Sequence, residues 1–276
     1  MKIVFNCSLY DFYRDYYENI ARELLRRGHE VEFIEDNYIK DADFTVTADE
    51  SQKGMGGTVV WIGHSFDGKG AMWNNPDCLK ELAKNADYAF VYSSVYKNIL
   101  GKYFNKPIYI SGMAKLDGLF GKHGDNVLYA PTFDKELTAD SIIGESIEKI
   151  VGSNNLIVRR HPAYVTSGKS LKDSFTETNI VVSGYSSMGM EAIVLDKPTI
   201  LVNNPNRFKH KSFPPKDYVC NQARSAAIQI NNPKELKKAI ETYKKNPSYL
   251  RKERRHYGNL LCEYRGVASE RTVDLL

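Results

Sequence analysis

The spacing of apolar residues alternates along the chain between the pattern of buried strands and that of amphipathic helices. A short β-rich run at residues 2–5 is followed by a segment, 12–27, in which apolar side chains recur every three or four positions. The apolar positions of this predicted helix are Tyr13, Tyr17, Ile20, Leu24 and Leu25. Gly28 ends the helix, and a second strand is predicted at 31–34. This order of elements predicts a parallel sheet covered by helices.

The same alternation continues to the end of the chain. Further strands are predicted at residues 58–62, 87–92, 107–110, 127–130, 156–159, 180–182, 199–202 and 227–230. Further helices are predicted at residues 77–86, 94–104, 139–151, 187–195, 233–245 and 248–276. A stretch rich in glycine and charge, 118–126, separates two such series. We therefore predict two Rossmann-like α/β domains, 1–122 and 123–276, with the carboxyl ends of both sheets facing a central cleft. The last helix is the one element that could instead pack back on the N-terminal domain.

The composition is that of a water-soluble globular protein. The chain has 276 residues, of which 42% are hydrophobic and 26% charged, with a formal net charge of +4. It has no secretory hydrophobic region and no run approaching the roughly 18 apolar residues of a transmembrane helix. The four cysteines lie far apart without a CxxC pair, which argues against a structural zinc site and a disulfide framework. We therefore expect a cytoplasmic protein.

Positive charge is concentrated in the C-terminal third of the chain. Between Arg207 and Arg255 there are fourteen Lys and Arg residues against four Asp and Glu residues. Such a segment attracts anions, which include nucleotides, anionic polymers, nucleic acids and the anionic face of a membrane. A set of solvated helix surfaces would have the same composition, and the residues alone do not separate the two interpretations.

Two of the six histidines follow predicted strands. His64 comes after the strand at 58–62, with Lys69 five residues further on, and His161 comes after the strand at 156–159. The carboxyl ends of parallel strands are where α/β proteins place ligand-binding groups, and imidazole titrates near neutral pH. Either residue could instead be an ordinary loop histidine. Because there is one in each predicted domain, we favour a functional pair.

A run of small and hydroxyl-bearing residues connects the strand at 180–182 to the helix at 187–195. Ser186 and Ser187 lie where the free N–H groups of that helix would form an anion site. Glu191, about one turn further on, could accept hydrogen bonds from ribose hydroxyls. The alternative is an ordinary serine N-cap with a capping-box-like glutamate. The chain has no GxSxG, GxGxxG or P-loop motif, which argues against a serine hydrolase, a dinucleotide dehydrogenase and an NTPase.

Six segments taken together resemble one family. They are 64–69 (HSFDGK), 112–117 (GMAKLD), 128–132 (LYAPT), 160–162 (RHP), 184–191 (GYSSMGME) and 268–271 (ASER). In this order they resemble the motifs of the CDP-glycerol glycerophosphotransferases of teichoic acid synthesis, among them HGxxxK, GxPRxD, LYAPTWR and DYSS. No single segment is specific, but the ordered set is.

Four positions depart from the motifs of that family. Ser65 replaces the glycine of HGxxxK, and Ala114 replaces the proline of GxPRxD. Asp134 stands where an arginine is expected, and Gly184 replaces the aspartate of DYSS. Because these changes fall around the predicted cleft, the resemblance does not define the exact donor or acceptor.

The resemblance implies a GT-B fold in which residues 1–122 hold the acceptor and residues 123–276 hold the nucleotide donor. It implies that an acceptor hydroxyl attacks the phosphorus next to the alcohol of a CDP-linked donor and releases CMP. His64 is then the candidate general base, and His161 would bind the donor phosphates or protonate the leaving oxygen, although the two roles could be exchanged. The other implied site residues are Arg160, Thr132, Ser186, Ser187 and Glu191 for the donor, and Lys69 and Lys115 for the acceptor or a phosphate.

The partners expected on this basis are a CDP-activated donor and an anionic polymer or lipid-linked acceptor, with no specific nucleic acid. The basic region 207–255 could also contact the inner face of the cell membrane. Acidic residues do not cluster with histidines at the spacing of metal ligands, so no cofactor is expected. A loosely bound Mg²⁺, held mainly by the diphosphate of the donor, is the alternative. The alternative functions are a GT-B sugar-nucleotide glycosyltransferase, a UDP-sugar 2-epimerase and a non-enzymatic polyanion-binding protein.

Overall fold

The computed structural model describes residues 1–7, 13–35, 41–49, 55–63, 65, 66, 75–132, 135–161, 169–209 and 217–276. Within these ranges the strands and α-helices are, in chain order, β1 (Lys2–Asn6), α1 (Tyr13–Arg26), β2 (Glu30–Ile34), β3 (Phe44–Thr47), β4 (Thr58–Ile62), α2 (Pro76–Asn85), β5 (Tyr88–Val91), α3 (Ser94–Leu100), β6 (Ile108–Ile110), β7 (Asn126–Ala130), α4 (Asp140–Val151), β8 (Leu156–Val158), α5 (Leu171–Thr176), β9 (Thr178–Ser183), α6 (Ser187–Val194), β10 (Thr199–Val202), α7 (Val219–Ala223), β11 (Ile228–Ile230), α8 (Pro233–Lys245), α9 (Arg251–Leu261) and α10 (Ala268–Leu275). None of the helices in the described ranges is both long enough and apolar enough to cross a membrane.

The chain forms two compact units. The first comprises the described parts of Met1–Ser65 and Met72–Gly118 together with Cys262–Leu276. The second comprises the described part of Phe66–Ala71 together with Leu119–Leu261. Each unit has its own parallel sheet and its own apolar core, so both are α/β units of the predicted class.

The first unit is a six-stranded sheet in the order β2, β1, β3, β4, β5, β6. α1 packs on it because Tyr17, Ile20 and Leu24 recur at helical spacing and are buried against β1 and β4. The expectation that Leu25 shares this face is wrong, since Leu25 is 58% exposed. One residue further along a helix is a rotation of about 100°, which turns Leu25 away from the sheet.

The second unit is a five-stranded sheet in the order β11, β10, β9, β7, β8. Its central strands are buried along almost their whole length, as expected for a parallel sheet. Val127, Val182 and Ile200 of the sheet share one core with Ile143 of α4 and Leu236 of α8. The pairings β7 with β8 and β7 with β9 are both parallel, so the carboxyl ends of these three strands lie along one edge.

The single C-terminal helix predicted from residue 248 is wrong, because the structure has two helices, α9 and α10. Between them Tyr264 and Gly266 have φ angles of 51° and 85°, which a continuous right-handed helix cannot contain. α9 belongs to the second unit and α10 to the first. Gly112 also has a positive φ of 81°, and a Cβ there would lie 2.4 Å from the carbonyl oxygen of Glu263, so this position requires glycine.

Asp117 caps α10. Its carboxylate accepts hydrogen bonds from the backbone N–H groups of Ala268 (3.2 Å) and Ser269 (2.6 Å), and from the Ser269 hydroxyl (2.6 Å). These are N–H groups of the first turn, which have no partner inside the helix. Two of the motif segments, 112–117 and 268–271, are therefore in contact because the first caps the helix that begins with the second.

We expect Asp117→Ala to lower the free energy of unfolding by about 0.5–2 kcal/mol, the usual effect of removing a side chain that accepts from the first N–H groups of a helix. Asp274→Ala is the matched control, because Asp274 lies at the other end of α10 in an exposed ion pair with Arg27, and such pairs contribute at most about 1 kcal/mol. Urea unfolding of the three proteins measures both effects. Equal effects of the two substitutions would contradict the capping role.

Lys197 is buried at the amino-terminal edge of the second sheet. Its Nζ donates to the carbonyl oxygens of Lys122 (2.8 Å) and Thr178 (2.9 Å). Burial lowers the pKa of Lys197 from its ordinary value of 10.5 to about 8. The folded protein therefore releases this proton at a lower pH than the unfolded chain does.

We expect the Lys197 contribution to the free energy of unfolding to rise between about pH 8 and pH 10.5, where the unfolded chain still binds the proton. Relative to Lys197→Met, the wild type should gain up to about 3 kcal/mol across this range. Urea unfolding at several pH values measures the difference. The control is Lys234→Met, at an exposed lysine of α8, whose free energy of unfolding should differ from that of the wild type by a constant amount at all these pH values. A constant difference between wild type and Lys197→Met would contradict the lowered pKa.

Candidate active site

A pocket of about 220 Å³ opens at the carboxyl edge of the second sheet. Its lining residues are Pro131, Thr132, Lys135, Thr138, Asp140, Arg160 and His161. Thr132 follows β7, whereas Arg160 and His161 follow β8, and the two strands are parallel neighbours. The structure thus brings together three of the residues that the sequence singled out. The volume is below the roughly 300–1,000 Å³ of a site for a whole drug-sized ligand, so the pocket has room for only part of such a ligand.

Asp140 organises this pocket from the first residue of α4. One carboxylate oxygen, Oδ2, accepts from Nη1 of Arg160 at 2.7 Å, and the other, Oδ1, accepts from the Tyr129 hydroxyl at 2.8 Å. Burial, followed by the hydrogen bond to Asp140, raises the pKa of Tyr129 far above its ordinary value, so the phenol remains a donor. Sequence reasoning missed Asp140, because an acidic residue in the first turn of a helix is common and carries no separate signal.

The pocket has an excess of positive charge. Lys135 is exposed at its rim, and the side chain of Arg160 is 51% exposed although it pairs with Asp140. Two cations against one carboxylate, beside a half-buried imidazole at His161, suit a phosphate group. Lys135 was not among the residues predicted from the sequence.

The start of α6 lies at the end of β9, on the other side of β7. The Ser183 hydroxyl donates to the Ala130 carbonyl oxygen at 2.7 Å, which ties the ends of β9 and β7 together. Ser186 is the N-cap of α6, and its Oγ accepts from the N–H of Met188 at 3.3 Å. Ser186 and Ser187 are both half-buried and are not part of the pocket lining. The two groups of predicted donor residues therefore occupy neighbouring strand ends rather than one cavity.

Glu191 and Lys115 are buried, which argues against their predicted direct contacts with a ligand. Glu191 is 1% exposed and lies five residues after the N-cap, so it is neither the third-position glutamate of a capping box nor placed to reach a ribose. Lys115, in the first unit, has its Nζ 4.1 Å from the ring centroid of Tyr16. The cavity that Lys115 lines has about 10 Å³, room for no more than about one water molecule.

His64 and Lys69 lie outside the described residues. Their predicted roles as base and phosphate ligand stay predictions. Near His64, the Tyr92 hydroxyl donates to the Ser65 carbonyl oxygen and accepts from the Ser65 N–H, both at 2.8 Å. A Cβ at Gly63 would lie 2.1 Å from that hydroxyl oxygen, so glycine is needed there.

Among the described residues, no group of three or more His, Cys, Asp and Glu side chains lies close enough to hold a metal ion. The polar groups of the pocket are two threonine hydroxyls, two cations, one carboxylate and one imidazole. Such a donor set suits an anion better than a metal ion.

Comparison with known proteins gives one family and a set of similar folds. A family model described as CDP-Glycerol:Poly(glycerophosphate) glycerophosphotransferase matches residues 59–276. No curated protein gives a significant sequence match. Among solved structures, the wall teichoic acid polymerase TagF, in a structure obtained after a soak with CDPG, is similar over 99% of this chain and 88% of that chain, with 14% identity and a TM-score of 0.76.

Two proteins of other function are similar in structure as well. A protein from Listeria monocytogenes described as a UDP-N-acetylglucosamine 2-epimerase matches 99% of this chain and 94% of its own, with 12% identity and a TM-score of 0.62. Sucrose-phosphate synthase from Thermosynechococcus elongatus matches 100% of this chain and 98% of its own, with 10% identity and a TM-score of 0.53. At such identities the similarity shows the fold alone, and that fold is the GT-B class, as predicted.

We expect the Arg160–Asp140 pair to be weakly coupled, so that Arg160 can exchange Asp140 for an anionic ligand. The side chains are 51% and 30% exposed, and pairs of this kind contribute about 0.2–1 kcal/mol. A double-mutant cycle with Arg160→Ala and Asp140→Ala, followed by urea unfolding, measures the coupling. The pair of Asp196 with the buried Arg254 serves as the comparison and should couple more strongly. A coupling of about 3 kcal/mol or more for Arg160 would mark a purely structural pair.

Proposed function

The chain belongs to the CDP-glycerol:poly(glycerophosphate) glycerophosphotransferase family, and we propose that it transfers glycerol phosphate from CDP-glycerol to a hydroxyl group of an acceptor polymer. In this reaction the hydroxyl oxygen forms a bond to the phosphorus that carries the glycerol. The bond from that phosphorus to the bridging oxygen breaks, and CMP leaves with the bridging oxygen. The observation that carries the proposal is the pocket in which Thr132, Arg160 and His161 meet inside the matched region.

The protein's contribution to such a displacement is positioning and charge stabilisation. We assign Arg160 to the phosphate oxygens, where its guanidinium offsets the negative charge that develops as CMP leaves. Asp140 holds Arg160 at the pocket wall and keeps the Tyr129 phenol oriented. Thr132 is buried at the end of β7 and supplies a hydroxyl to the same group.

His161 is assigned to the donor side of the reaction. Its ring lines the pocket beside Arg160, where it can donate a hydrogen bond to a phosphate oxygen or a proton to the leaving oxygen. His64 is proposed as the base that takes the proton from the acceptor hydroxyl, and Lys69 as a phosphate ligand, both on the sequence motif. Ser186 and Ser187 would hold the diphosphate at the start of α6. Glu191 and Lys115 are left out because they are buried and, unlike Thr132, do not line the pocket.

The acceptor proposed here is the hydroxyl end of a glycerol phosphate polymer of the teichoic acid type, free or lipid-linked. The family description and the similarity in fold to a wall teichoic acid polymerase support this choice. Mg²⁺ bound to the diphosphate itself is compatible with the proposal and needs no protein ligands.

We propose that the enzyme works at the inner face of the cell membrane. The basic region 207–255 is less available than its composition predicts, because Arg254 is buried and joins Arg251 and Arg255 on Asp196. The exposed positive charge is carried mainly by lysines of α8: Lys234, Lys237, Lys238, Lys244 and Lys245. Lysines next to an anionic leaflet contribute about 1 kcal/mol each, which supports a weak, salt-sensitive contact there.

We expect His161→Ala and Arg160→Ala each to lower kcat/KM for CDP-glycerol at least about tenfold, which corresponds to about 1.4 kcal/mol of transition-state stabilisation. Release of CMP from CDP-glycerol in the presence of a glycerol phosphate oligomer is the measurement. His256→Ala is the control, since His256 is exposed on α9 in the same unit. A variant that keeps more than a tenth of the wild-type rate would remove that residue from the proposed role.

The same assay separates the alternative functions. UDP-sugars are offered in place of CDP-glycerol, and release of UDP or formation of an epimer is measured. These substrates test for activities like those of the two other structurally similar proteins. Turnover of UDP-sugars without turnover of CDP-glycerol would overturn the proposal. Salt-steep binding of nucleic acid that does not depend on His161 would favour the polyanion-binding alternative.

A further inference from the structure

A second polar cluster lies at the carboxyl edge of the same sheet and has no role in the reaction described above. It consists of Tyr185 after β9, Asn203 after β10, Arg207 in the turn Pro205–Lys209, and Arg224 after α7. All four residues belong to the second unit. Tyr185 directly precedes Ser186, the N-cap of α6.

Arg224 connects three segments of this edge. Nη2 donates to Oδ1 of Asn203 at 2.9 Å, and Nη1 donates to the Gly184 carbonyl oxygen at 3.3 Å. The guanidinium carbon lies 4.1 Å from the ring centroid of Tyr185, in the range of a cation–π contact. Arg207 donates to the Tyr185 hydroxyl and, at 2.7 Å, to the same Oδ1 of Asn203.

Among the described residues, no carboxylate pairs with the positive charge of Arg224. Arg224 is 6% exposed, and in the part of the chain that the structure describes its polar partners are a carbonyl and an amide oxygen, while Nε has none. Burial lowers the pKa of Arg224 to about 10, and the neighbouring Arg207 also lowers it. A buried charge without a counter-charge is costly, and its two hydrogen bonds to neutral oxygens offset only part of that cost.

A second buried arginine of the same unit, Arg254, is neutralised by a carboxylate, as buried charges usually are. Arg254 is 1% exposed and pairs with Asp196 at 3.2 Å. Asp196 precedes β10, so this pair lies near the amino-terminal edge of the sheet, away from the strand ends that carry the pocket. In the described part of this unit, the buried Arg254 therefore has a carboxylate partner at the amino-terminal edge. The buried Arg224 has none in that part, at the edge where an anionic donor is proposed to bind.

We propose that Arg224 is a positioning residue for the transfer reaction, holding the Gly184–Tyr185 turn so that the start of α6 meets the diphosphate of the CDP-linked donor. The inference rests on the proposed function. Gly184 and Tyr185 directly precede Ser186 and Ser187, so a change in the turn moves both serines. A shift of about 1 Å in a group that positions substrate can lower the rate about a hundredfold. The uncompensated charge adds to the attraction of the diphosphate.

The test uses the full-length chain, with CDP as the probe in calorimetric titrations at a temperature where every variant is folded. Arg224→Met and Arg224→Lys should weaken CDP binding and lower kcat/KM for CDP-glycerol about tenfold to a hundredfold, with the KM for the acceptor unchanged. Lysine should not rescue, because its single nitrogen cannot take the places of both Nη1 and Nη2 and it has no planar group to stack on Tyr185. Arg254→Met is the matched control, which should lose stability but bind CDP like the wild type.

Wild-type CDP affinity in Arg224→Met would overturn the inference and leave the proposed function intact. Full rescue by lysine would overturn the positioning role, since charge alone would then suffice. If Arg224→Met does not fold, Asn203→Ala removes the oxygen that Arg207 and Arg224 share and should weaken CDP binding in the same way, whereas unchanged affinity would overturn the inference. A wild-type protein that binds neither CDP nor CDP-glycerol would overturn both proposals.

Discussion

The parallel pairing of β7, β8, β9 and β10 is the constraint on which the function of the second unit depends. Because all strands of a parallel sheet point the same way, the segments that follow them lie along one edge, however far apart they are in sequence. This pairing brings Thr132 and Arg160 into one pocket and places Ser186 and Asn203 at neighbouring strand ends. The sheet is held by backbone hydrogen bonds and a buried apolar core, so the residues at its edge can vary without loss of the fold.

The partners of the buried and paired charges distinguish residues with a structural role from residues that face the proposed ligand. Asp196 neutralises Arg254 where no ligand is proposed, and Asp117 satisfies the first turn of α10 in the first unit. At the carboxyl edge of the second sheet the balance differs, because Arg160 keeps only a half-exposed carboxylate and Arg224 has neutral partners. An edge that remains positive after its internal pairs are counted can bind a diphosphate without first breaking a strong ion pair.

Most of the fold could be predicted from the sequence, because the period of apolar residues is a local property. The helices that were missed are short: α7 has five residues and α5 six, fewer than two helical turns, which is too few for a helical period to emerge. The strand β3 was missed as well, although strands of three residues were predicted. The break between α9 and α10 was missed although Gly266, with a φ of 85°, is a helix-ending signal of the same kind as Gly28. At the site, Asp140 and Arg224 were not predicted. An acidic residue in a first helical turn is typical of an exposed surface, and so is an arginine in a basic stretch.

The α/β class of both units, the position of His161 after a strand, and the family could be predicted from the residues alone, because hydrophobic period and motif order need no partner from elsewhere in the chain. Which charges are buried, and which groups they contact, became visible only in the folded chain. Asp117 meets Ser269, Asp140 meets Arg160, and Arg224 meets Asn203 through folding alone. The sequence records the charge of a side chain, but its energy depends on whether water, a carboxylate or an aromatic ring surrounds it, and distant segments supply those surroundings.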